Sequence, residues 1–494
     1  MALGLTPQQI IDKGTHPLLE ISKGWERIEL KNIATVQNGF AFSSKLFNHS
    51  EGLPLIRIRD IFSKETENLY SGGYKDEFIV NNGDILIGMD GDFKVSKWPG
   101  KKGLLNQRVC RIHFQSEYYN KEFLYLCIQP YLDAIHSETS AVTVKHLSSR
   151  TINNIPFPLP PLVEQQAIVN KIEALFSSLD SGIADLKKAQ DQLKIYRQAV
   201  LKKAFEGELT KEWRENNNLE PSFDFLKGIV KQRKASKPDK KSIYHKKISY
   251  DFNFSKDDKI ETWSKGTLDK LIYIAARIGW RGLKKNEYTE TGPLFLSVHS
   301  LNYGKYVDYS QAYHISEERY IESPEIKLQE GDVLLCKDGS GIGKIGIIKD
   351  LKTKASVNSS LLVIRGMNIL TQEFLYYLFS GPKLQSIVLQ RITGSATPHL
   401  FQNDIKKFEL QIPPIQEQHQ IVQEIESRLS VCDVVEQSIT ESLDKAQALR
   451  QSILKKAFEG KLLTQEEIEK CKAHPDYEPA SVLLERIKKE KVKK

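Results

Sequence analysis

The sequence predicts a mixed α/β (α+β) fold in which two globular domains are separated by two long antiparallel coiled-coil helices, with an internal pseudo-twofold repeat. Three observations carry that expectation. The 494-residue chain is long enough for about three folding units. A segment from its middle recurs near its end. Both copies of that segment space their apolar residues as a helix–helix seam does, between a Pro-Pro stop and a glycine.

The repeat comes first because it decides the architecture. Pro160-Pro161 recurs as Pro413-Pro414 and Leu201–Gly207 recurs as Leu454–Gly460, both at an offset of 253. Aligned without a gap, Pro160–Thr210 and Pro413–Leu463 share 21 of 51 residues, where shared composition alone gives about 3. Glu220-Pro221-Ser222 answers Glu478-Pro479-Ala480 beyond the aligned window. Upstream, Gly83-Asp84-Ile85-Leu86 answers Gly331-Asp332-Val333-Leu334, Phe123-Leu124-Tyr125 answers Phe374-Leu375-Tyr376, and His146-Leu147 answers His399-Leu400. One unit is therefore used twice, conserved in its helical segment and divergent over roughly 25–155 and 262–408. The boundaries that follow are 1–155 (first domain with an N-terminal extension), 156–210 (first helical region), 211–261 (amphipathic segment and basic linker), 262–408 (second domain), 409–464 (second helical region) and 465–494 (amphipathic basic tail).

In the first helical copy Ile172, Leu175, Leu179, Ile183, Leu186, Leu193, Val200 and Ala204 fall mostly in 4-3 spacing; in the second Ile421, Ile425, Leu429, Cys432, Val435, Ile439, Leu443, Ala446, Leu449 and Ile453 form a comparable stripe. Each copy has acid in its first turn (Glu164, Glu417) and a glycine after its last (Gly207, Gly460). About 45 residues make a rod of roughly 65 Å. The expected pairing residues are Ile172, Leu179, Leu186 and Leu193 against Ile425, Cys432, Ile439 and Leu443. The alternative is that each helix packs only on its own domain.

The divergent domains read as short strands, among them Leu55–Arg59, Asp84–Gly88, Asp332–Cys336 and Ser360–Ile364, broken by Gly-rich turns. Alternation along the first of these puts Arg57 and Arg59 on one face, either a solvated edge or forks for guanine edges or phosphates. Phe93, Lys94, Lys97, Trp98, Lys101, Lys102, Gln107 and Arg108 crowd one region of the first domain. Arg277, Trp280, Arg281, Lys284 and Lys285 crowd one of the second. Cations interleaved with an aromatic and glycines suit a phosphate backbone and a groove, so two such clusters favour nucleic acid over a merely solvated surface. Lys145, Lys337, Ser340, Lys344, Thr397 and His399 complete the candidate DNA contacts. His146 and His399 read also as structural histidines preceding the helical segments. The run 231–247, with eight Lys/Arg and one acid, reads as a solvated tether that can touch phosphates.

Other classes fall away on composition and motif. A net charge of +8 permits an anionic partner without establishing one. Five dispersed cysteines without CxxC point to reduced thiols in a cytosol, not to zinc or a disulfide scaffold. The N-terminus has no signal-peptide pattern and no run approaches a membrane span, so a soluble cytoplasmic chain is expected. Gly341-Ile342-Gly343-Lys344-Ile345-Gly346 fits GxGxxG literally, but Ile345, Ile347 and Ile348 continue as a strand where a dinucleotide site needs a helix. No metal or catalytic motif is evident, and a chance-grade Asp308, Glu325, Lys327 set supports only a minor alternative, a self-contained Mg-dependent nuclease. A dimeric DNA-binding regulator is the other.

Two variable domains alternating with near-identical helices that carry Pro-Pro-Leu-Val-Glu-Gln-Gln and Leu-Lys-Lys-Ala-Phe-Glu-Gly-x-Leu resemble the specificity subunit of type I restriction-modification systems over essentially the whole chain. That resemblance implies two target-recognition domains, each reading half of a bipartite, asymmetric sequence in double-stranded DNA, with the helices as a ruler. It implies docking by two modification (methyltransferase) subunits and by restriction (endonuclease/translocase) subunits. S-adenosylmethionine, ATP and Mg would then sit on those partners, with no cofactor and no catalytic residue on this chain.

Overall fold

The computed structural model describes residues 5–63, 65–139, 145–235, 254–277, 283–393 and 399–493. Contacts divide the chain into two units: residues 1–186 together with 441–494, and residues 187–440. The two long helices, Leu162–Phe205 and Ile415–Phe458, have 44 residues each, about 66 Å at 1.5 Å per residue. Each contributes one half to each unit, so every unit holds one domain, the start of one helix and the end of the other. Among the described residues no helix is long and apolar enough to cross a membrane, and the five cysteines are free and buried.

Within each unit the helix halves pair antiparallel. In the second unit Arg197 bridges Asp433 (2.7 Å) and Glu436 (2.8 Å), and Val200, Leu201 and Ala204 share a core with Ile421, Val422 and Ile425. In the first, Arg450 pairs with Asp180 and lies over the Phe176 ring, while Ile168, Val169 and Ile172 pack with Ile453, Ala457 and Phe458. In both, residue numbers rise along one helix as they fall along the other. Ile172, Ile425, Cys432 and Ile439 are buried; Leu179, Leu186, Leu193 and Leu443 are half-buried. Leu175, Val435 and Leu449 depart from expectation: all three are exposed, because a pair of helices covers only a narrow stripe of each and apolar residues beside that stripe stay in water.

The helix starts explain the Pro-Pro-x-x-Glu-Gln motif. Gln165 donates from Nε2 to the Pro160 carbonyl (2.8 Å) and accepts at Oε1 from the Asn120 amide (2.7 Å). Gln418 does the same with Pro413 (3.0 Å) and Thr371 (2.9 Å). Asn120 and Thr371 are themselves N-caps of the following helices, Lys121–Glu138 and Gln372–Ser380, so one buried amide ties two helix starts together in each unit. The helix ends explain the glycines. Gly207 (φ 75°) and Gly460 (φ 69°) are left-handed, and an added Cβ would lie 2.5 Å from Ile260 Cδ1 or from Ser22 Cβ.

Each domain is built on a four-stranded antiparallel sheet. Its order is Ala34–Asn38, Val109–Phe114, Ile85–Gly88, Val95–Lys97 in the first and Tyr273–Ala276, Leu361–Arg365, Val333–Cys336, Ile345–Ile347 in the second. Beside it, Glu26–Glu29 pairs with Pro156–Leu159 and Ser264–Thr267 with Glu409–Ile412. The Gly-Asp motif is structural. Asp84 meets Arg111 at 3.0 Å and Asp332 meets Arg365 at 2.5 Å. Arg111 lies opposite Leu86 whereas Val363 lies opposite Leu334, so the second arginine stands two residues farther along the same strand face. Ile345–Ile347 follows a turn, as the reading of GxGxxG required.

One strand expectation fails. Leu53–Ile56 is extended, but Ile58–Asp60 is a 3-10 turn. The Arg57 amide donates to Asp60 Oδ2 (3.1 Å) and its Nε reaches the same oxygen at 3.2 Å. That local carboxylate outcompetes a continued ladder, so Arg57 and Arg59 do not share a strand face.

Candidate nucleic-acid interface

The cationic run of the first domain separates into three environments. Trp98 leaves the surface: it is 1% exposed among Ile56, Ile61, Val80, Leu86, Leu105 and Val109, with Nε1 donating to the Lys101 carbonyl at 2.7 Å. Phe93 is likewise buried, at φ 47° and edge-on to His136. Neither is placed to enter a groove. Lys97 pairs with Glu122 and lies over Tyr125, and Lys94 stands 3.9 Å from Asp133, so both lean on the helix Lys121–Glu138. Lys101, Lys102 and Arg59 are exposed, and Arg57 is half-buried on Asp60.

Gln107 and Arg108 are exposed at a different edge, where the sheet is extended by a segment preceding the long helix. The Leu147 amide donates to the Met89 carbonyl (2.7 Å), Gly91 to Lys145 (3.0 Å) and Met89 to Arg108 (2.8 Å). Asp90 accepts from His146 Nδ1 at 2.5 Å and lies 3.4 Å from Arg108 Nε. Lys145 spends its ammonium on the His136 carbonyl (2.6 Å).

The second domain repeats this frame with different occupants. The Leu400 amide donates to the Lys337 carbonyl and the Lys337 amide to Ser360, both at 2.8 Å. Asp338 holds His399 Nδ1 and the Lys337 ammonium (2.5 Å). Ser340 and Lys344 are exposed, and Lys344 donates to Asn302 Oδ1 (2.5 Å). Arg277 is corrected as a surface contact: it is 3% exposed, stacked over Phe295 and directed at the Val357 carbonyl. Lys284 and Lys285 are exposed. Trp280, Arg281 and Thr397 lie outside the described residues.

Sequence reading missed Asp90 and Asp338, although a signal was present. Each is an Asp-Gly just beyond the strand that follows the Gly-Asp motif, Ile85–Gly88 or Val333–Cys336, and each pairs across an isolated bridge with the repeated histidine, Asp90 with His146 and Asp338 with His399. The histidines are thus structural members of an exposed polar edge, which joins the two readings of them. The nuclease set acts otherwise: Asp308 caps a 3-10 turn at Ser310, Glu325 is buried, and Lys327 lies over Tyr320. Among the described residues no cluster of three or more His, Cys, Asp or Glu is disposed to hold a metal.

Residues 22–188 and 261–444 match the family model described as type I restriction modification DNA specificity domain. The chain belongs to this family. Each matched stretch takes in one four-stranded domain and the beginning of its long helix, so the family unit is the repeat unit described above. The specificity subunit of the type I restriction enzyme EcoBI from Escherichia coli is 34% identical over 99% of this chain and 97% of that protein. The EcoKI specificity subunit of strain K12 is 27% identical over 73% of this chain and 69% of its own length. A solved structure titled for complex assembly and conformational transition of the type I R-M system superposes with a TM-score of 0.62 at 17% identity, covering 90% of this chain and all of the other. That likeness is one of fold. The family membership agrees with the resemblance drawn from the helical motifs.

Proposed function

We propose that this chain is the DNA-reading and scaffolding subunit of a type I restriction-modification complex. Each domain reads one half of a split, asymmetric sequence in double-stranded DNA, and the paired helices set the unread spacer. The observation that carries this is a single sheet frame built twice, with the same Asp–His bridge and different side chains around it. A conserved frame with variable edges suits two readers of unlike half-sites.

Chemistry belongs to partners in this reading. Two modification subunits bring S-adenosylmethionine and methylate adenine; restriction subunits bring ATP- and Mg-dependent translocation and cleavage. The chain itself works non-catalytically, in the cytoplasm. Purified alone it should methylate nothing, and with the modification subunit it should direct methyl transfer to adenine at a split sequence. Methyl transfer by the chain alone, or cleavage lost in Glu325→Ala with DNA binding intact, would overturn the proposal. Adding whole heptads to both helices should lengthen the spacer while leaving both half-sites unchanged.

A further inference from the structure

We infer that Arg108 is the side chain by which the first domain reads a guanine, with Asp90 as its positioning residue; this rests on the DNA-reading function proposed above. Arg108 sits at φ 73°, a left-handed conformation that a long L side chain adopts at a cost and that accumulates at functional sites. The sheet imposes it. Its carbonyl is fixed by the Met89 amide, and the next residue, Val109, donates back to Asn106 (3.2 Å) before entering the central strand. The result is an arginine turned out of the strand with its side chain 56% exposed.

The guanidinium faces a carboxylate. Its Nε lies 3.4 Å from one oxygen of Asp90 while His146 holds the other oxygen at 2.5 Å. The carboxylate is thereby pinned between two elements. An arginine whose Nε faces a carboxylate leaves its two terminal nitrogens as a fork, the geometry that matches O6 and N7 of guanine in the major groove. Gln107, its exposed neighbour, is fixed by donating its amide to the Phe40 carbonyl (2.8 Å).

Comparison with the second domain separates frame from reader. Asp338 and His399 repeat the carboxylate and the imidazole, and Ser360 stands at the register position of Arg108. The outward arginine is exchanged for a serine, and Lys337, at the register position of Met89, supplies the cation that meets Asp338, as expected if the two domains read different bases.

The test uses the full chain assembled with its modification subunits and sequencing of the methylated positions in random-sequence DNA. Arg108→Gly should relax one G·C position in one half-site, lowering discrimination there by roughly 10- to 100-fold, and leave the other half-site intact. Its Tm should not fall, because glycine adopts positive φ freely. Arg108→Lys should relax the same position, since an ammonium cannot fork, and Asp90→Asn should relax it by less. An unchanged methylated sequence in Arg108→Gly, or a lower Tm with specificity retained, would overturn the inference alone. Absence of any split-site methylation by the parent complex would overturn the DNA-reading function with it.

Discussion

Glu417 and Glu164 occupy the same place in the first turns of the two long helices, yet among the described residues only Glu417 meets an arginine. Glu417 is fully buried and accepts from Trp263 Nε1 (2.7 Å), Thr210 Oγ1 (2.8 Å) and Arg214 Nε (2.8 Å). Glu164 accepts from Trp25 Nε1 at 3.1 Å, and beside it lies a cavity of about 240 Å³ lined by Ser22, Trp25, Lys472 and Tyr477. Burial pushes its carboxyl above the usual range, opposed in part by Trp25, Lys472 and Tyr477. The tryptophan–carboxylate bond is common to both units; the counter-charge is not. Duplication has kept the directional hydrogen bond that sets the helix start, while the less directional charge partner has been free to change.

The largest effect that would break this comparison is Arg214→Ala. It strands the Glu417 carboxylate without its cation, and Arg214 is itself only 14% exposed. A loss of about 3–5 kcal/mol is expected, read as a lower urea midpoint, whereas Lys472→Ala, at a half-exposed position in the first unit, should move it little. Equal losses from the two would show that the units do not differ in this respect.

An intermediate effect tests what the units share. Gly207→Ala and Gly460→Ala should each destabilise by about 1–3 kcal/mol, because alanine is disfavoured at positive φ and its Cβ meets close neighbours at both sites. A neutral result at either position in thermal unfolding would mean that the two helix ends are not equivalent.

The smallest effects are in pH dependence and have opposite signs. Lys171, and then the Thr464 amide, hold the Glu467 carboxyl down at about 2. A depressed folded-state value contributes stability that is present above the unfolded value and lost as pH falls from about 4.5 towards 2, so Glu467→Gln should cost stability at pH 6 and little at pH 2.5. Glu164 is raised, so its favourable contribution exists in acid and is lost as pH climbs through the folded value. Glu164→Gln should therefore compare progressively better with the parent as pH rises above about 4.5 in chemical denaturation. A flat difference would place Glu164 in the same electrostatic setting as an ordinary exposed acid.

Much of the architecture was readable from the residues. Repetition at a fixed offset reports on duplicated architecture, and 4-3 apolar spacing reports on helix pairing, since it is a local periodicity that a tertiary fold must respect. The interface was less readable. Phe93, Trp98 and Arg277 looked like members of surface clusters, but each is buried in or against a core. A run of cations and aromatics across turns carries no period, so neighbours in sequence point in unrelated directions.

From its residues alone the chain was bound to form two related domains and two long helices, because helix caps, proline stops and a repeated apolar stripe act within a few residues of one another. Which cations reach solvent was settled only when distant strands met. Asp90 finds His146 and Arg108, and Arg277 turns inward onto Phe295, because those partners lie 18 to 56 positions apart in sequence. Long-range pairing has no local signature, and it is what decides the direction of each side chain on this polar edge.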